Sequence, residues 1–290
     1  MSRLSLYPTL LFLFIVSMSF GQKATTSSNA HSDWTQPCEP FRIAGNLYYV
    51  GTYDLACYLV TTSQGNILIN TGLAESASMI RSNIEALGFK FSDVKILLNT
   101  QAHYDHVAAM AAIKKQTGAK MMIHEGDAQV LADGGKSDFA LKGKENYFAP
   151  VKADRLLHDG DTIRLGETTL VALHHPGHTK GSTSFLLTVK DENRSWKVLI
   201  ANMPTILPQT RIMGMPAYPK VGEDYKYTLD AMKKLQFDLW VASHASQFDL
   251  HDKRKPGDAY NPAVFNDRAE YDAQLDTLTQ AYLNRLKTEK

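Results

Sequence analysis

Only two cysteines, Cys38 and Cys57, occur in the 290 residues of this chain. Neither stands in a metal-like spacing, so thiolate ligation is excluded. In an exported protein such a pair either closes a disulfide between the first strand and a neighbour or remains as two buried thiols, and the sequence leaves both open. An excess of one charge is also missing, since 31 lysines and arginines face 30 aspartates and glutamates. That balance supplies no long-range field to draw in nucleic acid or an anionic membrane, and partners of those kinds are not expected. Repeats at a fixed period and low-complexity linkers are absent as well, which favours one compact domain.

Long apolar runs are scarce. The notable one, residues 10–16, follows Arg3 and precedes Ser17, Ser19 and Gly21. It falls short of the roughly 20 residues a membrane-spanning helix needs. A basic start, an apolar middle and a small-residue end are the features of a cleaved signal peptide, assigned here to residues 1–21. Residues 22–33 read as a polar, flexible leader, and 34–290 as a single domain. Export of that kind points to the periplasm, with no membrane attachment in the mature form and a monomer as the expected state.

What is present is an ordinary globular composition, 44% hydrophobic, enough to bury one large core or two smaller ones. Residues 41–44 and 47–50 flank Gly45-Asn46, and 57–61 and 66–70 flank Ser63-Gln64-Gly65; both pairs read as hairpins. Past Gly72 the spacing turns helical, with Met79, Ile80, Ile84 and Leu87 apolar and Gly88 as the stop. A short buried strand is expected over 94–98, and a helix over 107–117 with Met110, Ala111 and Ile113 inside. Further strands are expected at 119–123, 170–174, 184–189, 196–201 and 239–242, and helices at 224–235 and 267–286. Strands and helices thus alternate through two successive halves, the pattern of two packed sheets with helices outside.

The chemistry concentrates where strands stop. His103, Asp105 and His106 follow the 94–98 strand within four residues, and two imidazoles with a carboxylate suit a borderline cation such as zinc. Two later strand ends carry Pro176-Gly177-His178-Thr179 and Ser243-His244, the first sharply turned by its proline and glycine. His31, His158, His251, His124 and His174 read as ordinary core or surface histidines.

The run Gln101-x-His103-x-Asp105-His106, together with Pro-Gly-His178-Thr and His244, resembles the metallo-β-lactamase superfamily. Within it the resemblance is to class B β-lactamases of subclass B3, and to the GOB type, where glutamine likewise occupies the first ligand position. It implies an α+β fold, an αββα sandwich of two mixed β-sheets packed face to face with helices on the outside. It also implies two zinc sites: Gln101, His103 and His178 at one, Asp105, His106 and His244 at the other. The implied activity is hydrolysis of the amide bond of a small-molecule β-lactam by a metal-bound hydroxide, since zinc lowers the pKa of bound water to about 7. Asp105 then holds the metal and orients the attacking water.

An amide oxygen is a poorer zinc donor than an imidazole nitrogen, so the expectation is one or two Zn2+ with the Asp105/His106/His244 site favoured. The alternative on the same fold is a zinc-dependent thioester or lactone hydrolase, which bridges two metals with an aspartate at a later strand end; here that strand runs into Asn202-Met203-Pro204 and carries no acid. A non-catalytic zinc-binding protein is a third reading. Met203 also departs from the cysteine of one β-lactamase subclass and the serine common in this one. Asn70-Thr71-Gly72 replaces the family's usual Asp-Gly, which removes a charge expected to orient a ligand histidine. Tyr104 and Met203 are expected at the substrate cleft.

Overall fold

The computed structural model describes residues 31–192 and 194–289. The expected signal peptide and all but the last three residues of the expected leader, 31–33, lie outside the described residues.

Alternation of side chains builds the first sheet. In β3 (Tyr58–Thr62), β4 (Gly65–Ile69) and the 96–98 part of β5 (Val94–Leu98), past an irregularity at Lys95, successive residues point to opposite faces. Tyr58, Val60, Ile67, Ile69, Ile96 and Leu98 enter one apolar cluster, whereas Leu59, Leu68, Val94 and Leu97 enter another. A sheet apolar on both faces must be covered on both. The second cluster is closed by α1 (Ser76–Ala86) through Ile80 and Ile84 and by α3 (Met110–Thr117) through Met110 and Ile113. The first is closed by a second sheet, through Leu170 and Ala172 of β9 (Thr168–His174), Phe185, Leu187 and Val189 of β10 (Thr183–Lys190), and Val198 and Ile200 of β11 (Ser195–Ala201).

Seven strands make the first sheet in sequence order: β1 (Phe41–Ala44), β2 (Leu47–Tyr49), β3, β4, β5, β6 (Lys120–His124) and β7 (Arg155–Leu157). Its first half is antiparallel and its second parallel. The other sheet runs β12 (Leu239–Ala242), β11, β10, β9, β8 (Thr162–Leu165), with only β11 and β12 parallel. On its outer face lie α5 (Val221–Met232) and α7 (Arg268–Thr288). Trp240 of β12 meets Tyr271 of α7 edge-on at 5.2 Å between ring centres, and its indole N–H donates to Asp267 O. Asp267 caps α7 by accepting from Glu270 N. The result is helices, sheet, sheet, helices: the α+β sandwich implied by the resemblance.

Two differences from the sequence reading stand out. The helix expected over 107–117 is broken into α2 (Tyr104–Val107) and α3. The His106 carbonyl, which a continuous helix would use for Met110 N–H, accepts instead from Thr71 N at 2.8 Å, and Ala108 N–H is shared between Tyr104 O and Gly72 O. Asp105 and His106 therefore sit in a helical turn, not in an open loop. α4 (Glu125–Asp133), β7 and β8 were not expected; α4 starts directly at a strand end with Gly126 in its first turn, which hides it. The two cysteines are unbonded, so the disulfide alternative is not realised; burial pushes the Cys38 thiol up to about 11 and that of Cys57 further.

Candidate metal centre

Topology brings the ligand-bearing segments to one end of the sandwich. β9 and β11 are both antiparallel to β10 and so run the same way, and β12 is parallel to β11. The residues after them, His175–His178, Asn202-Met203 and Ser243-His244, emerge together. The two sheets are tied at this end by Ala56 N–H to Ser243 O (3.1 Å), Thr183 N–H to Thr100 O (2.8 Å) and the Ser243 hydroxyl to Thr100 Oγ1 (2.9 Å).

Here Asp105, His106 and His244 offer one ligand atom each, all within 4.8 Å of one another. Asp105 Oδ2 is 3.1 Å from His106 Nε2 and 3.4 Å from His244 Nε2. Beside them, His103 Nδ1 faces His178 Nε2 at 3.1 Å. Two donors each at zinc-ligand distance from a tetrahedral centre stand about 3.3 Å apart, so all three separations suit one ion between each set. Among the described residues, buried Gln101 Oε1 has no hydrogen-bond partner, and His106 Nε2 has none beyond its approach to Asp105. An unsatisfied buried polar atom costs about 1–3 kcal/mol, and a cation relieves that cost. The donor chemistry and the orphaned atoms fit zinc.

The electrostatics point the same way. Burial opposes ionisation of Asp105, yet the adjacent His106 and His244 hold its carboxyl well below the usual carboxylate range. His244 is half-buried, which opposes its protonation, but Asp105 and Asp54 outweigh that and raise it to about 9. An imidazole held between two carboxylates marks a place that calls for positive charge. Burial, with His103 alongside, lowers His178 to about 3, which keeps its ring neutral and available as a donor. His178 Nδ1–H donates to Thr205 O at 2.7 Å, fixing the tautomer that turns Nε2 inward.

Gln101, His103, Tyr104, Asp105, His178, Met203 and His244 all line one cavity of about 250 Å³, while His106 lies beneath it, fully buried. Burial and the neighbouring Asp105 raise the Tyr104 phenol to about 12. Larger surface hollows, of about 420 and 630 Å³, have no converging ligand groups.

Sequence reasoning missed the residues that aim the ligands. Asp54 accepts from His244 Nδ1 at 2.9 Å, from Trp34 Nε1 at 3.1 Å and from Ser246 N–H at 3.0 Å. Asp138 lies 3.2 Å from His103 Nε2 and is itself held by Ala140 and Leu141 N–H. Trp34 belongs to a 3-10 turn, Ser32–Trp34, so the last leader residues are structured, and Trp34 walls the cavity. No spacing signal ties Asp54 to a histidine 190 positions away. Asn70, read from the sequence as lacking a charge that would orient a ligand histidine, accepts from Thr100 N–H at 2.9 Å and adopts a left-handed φ of 62°.

The family model described as "Metallo-beta-lactamase superfamily" matches residues 52–191. The chain belongs to the metallo-β-lactamase superfamily. It is 64% identical to the class B3 di-zinc metallo-β-lactamase LRA-12 from an Alaskan soil metagenome, covering 91% of this chain and 99% of that one with a TM-score of 0.87. It is 54% identical to the metallo-β-lactamase GOB-18 from Elizabethkingia meningoseptica, covering 92% and 99% with a TM-score of 0.89. Curated relatives are matched only in part: the chain spans 37% of one from Burkholderia pseudomallei named a probable metallo-hydrolase, at 33% identity over 118 residues, or 39% of this chain.

Proposed function

We infer that this protein is a zinc β-lactamase of subclass B3, hydrolysing the amide bond of β-lactam antibiotics. The observation that carries the inference is the spacing about Asp105 Oδ2, 3.1 and 3.4 Å from two imidazole nitrogens at the floor of an open cavity. Zinc, when bound, supplies a Lewis acid and lowers the pKa of water to about 7.

The chain's own groups do the rest. Asp105, His106 and His244 are assigned to one ion and Gln101, His103 and His178 to the other. Asp105 Oδ2 anchors the first trio, and its second oxygen orients the attacking water by accepting a hydrogen bond. Asp54 holds the Nδ1 proton of His244, leaving Nε2 as the donor. Trp34, Tyr104 and Met203 present apolar surface to the substrate, and among the described residues no lysine or arginine lines the cavity.

Asn202 stands where a bridging acid is needed for the thioester hydrolase alternative. Its Oδ1 accepts from the Ser243 hydroxyl at 3.2 Å, and as a neutral amide it gives no bridging charge. The experiment is hydrolysis of a chromogenic cephalosporin alongside an acyl-glutathione thioester. Turnover of the cephalosporin alone, abolished by a chelator and restored by zinc, is the expected result; thioester turnover alone would overturn the assignment.

The leading residues support cleavage of 1–21 and release to the periplasm of a chain that begins at residue 22, its leader 22–33 followed by the domain 34–290; a monomer is proposed with it. Among the described residues no helix is long and apolar enough to cross a membrane. N-terminal sequencing of the protein from a periplasmic fraction tests this, and an intact Met1 there would contradict it.

A further inference from the structure

His103 lies on the segment leaving β5 of the seven-stranded sheet, and His178 on the loop leaving β9 of the five-stranded sheet. Chain connectivity therefore does not set the 3.1 Å between His103 Nδ1 and His178 Nε2. One side chain reaches both segments. Asp127, in the first turn of α4, is 1% exposed. Its Oδ2 accepts from Ala102 N–H at 3.0 Å and from the Thr179 hydroxyl at 2.7 Å, and its Oδ1 accepts from Gly181 N–H at 2.8 Å. Ala102 lies between Gln101 and His103, and Thr179 follows His178, so two of these bonds fall one residue from a ligand.

The backbone is shaped for the contact. A Cβ on Gly126 would stand 2.6 Å from Lys180 O, and one on Gly181 would stand 2.5 Å from Asp127 N. Only glycine at both positions lets the start of α4 sit directly on the turn after His178. Burying a carboxylate costs several kcal/mol before its partners compensate, and an apolar residue of equal volume packs as well or better. What an apolar residue lacks is the ability to gather three donors from two separate segments.

We propose that Asp127 is a positioning residue whose carboxylate sets the separation of the His103 and His178 segments, and thereby the cation affinity of the Gln101/His103/His178 group. The inference rests on the ligand assignment above. It is specific to that group, because Asp105, His106 and His244 are placed by other contacts, Thr71 on the His106 carbonyl and Asp54 on His244.

The test uses the full chain, demetallated, with zinc affinities from competition with a chromophoric chelator and cadmium NMR to resolve the two groups. Asp127→Ala weakens the His103/His178 group on the order of 10- to 100-fold, the range for lost ligand-orienting partners, and leaves the Asp105 group within about twofold. Asp127→Asn, which keeps the volume and one acceptor oxygen, recovers part of the loss. Thr179→Val removes a single link and gives a smaller loss confined to the same group, so it carries the test if Asp127→Ala fails to fold. Unchanged affinity of the His103/His178 group in Asp127→Asn and Thr179→Val overturns the proposal, as does equal weakening of both groups. A wild-type protein with no cadmium signal from His103 and His178 overturns the ligand assignment itself, a distinct outcome.

Discussion

The two halves of the proposed metal centre are built on different plans. Asp105 and His106 are neighbours in one short helical turn, pinned by Thr71, and need only His244 from across the sandwich. Gln101, His103 and His178 include no carboxylate and rely on two separate segments held in register. The first group brings a carboxylate that stays ionised against burial; the second brings an amide oxygen with no partner and two imidazoles facing each other. Charge and local rigidity thus concentrate in one half. A cation entering the cleft should fill that half first, and the other half is the adjustable one.

Removing the carboxylate breaks this contrast most severely. Asp105→Asn keeps the shape but loses the charge, and turnover should fall on the order of 1,000-fold or more, while the melting temperature of the metal-free protein shifts by no more than a few degrees; steady-state kinetics with a thermal melt checks both. The next largest effect is expected at Asp54. Its replacement by alanine frees the His244 ring and should weaken zinc at the Asp105 group by about 10- to 100-fold, read by chelator competition, with little change at His103/His178. The comparison can also be narrowed from the other side. Gln101→His exchanges an amide oxygen for an imidazole nitrogen and should tighten zinc at the weaker group by about 10-fold, without altering the Asp105 group. Asn70→Asp should do least, because Asn70 contacts Thr100 and Ala56 and no ligand; a change in either zinc affinity above about threefold would show that its charge acts at a distance.

The same contrast explains what was readable from the chain. Strands of the first sheet announce themselves by alternation, as at Tyr58, Leu59 and Val60, where neighbouring residues go to different cores. Gln101, His103, Asp105, His106, His178 and His244 were legible because each stands where an apolar strand stops. The helix break at Ala108 was not, because it is made by Thr71 and Gly72, more than 30 positions earlier in the chain. α4 was hidden by its glycine and its abrupt start, and with it Asp127, which serves two distant segments. Asp54 and Trp34 escaped for a similar reason: a hydrogen bond to His244 leaves no periodic trace in sequence. Ligands that sit in strand-end motifs can be read locally, whereas the groups that aim them exist only once the sheets have met.

We propose that the Asp105/His106/His244 group, which carries the carboxylate, supports the reaction with a single zinc. Stepwise addition of zinc to the demetallated protein, with β-lactam hydrolysis followed at each point, tests this. Activity rising in proportion to the first equivalent and reaching most of its plateau there is the predicted result. Negligible activity until a second equivalent binds would contradict it.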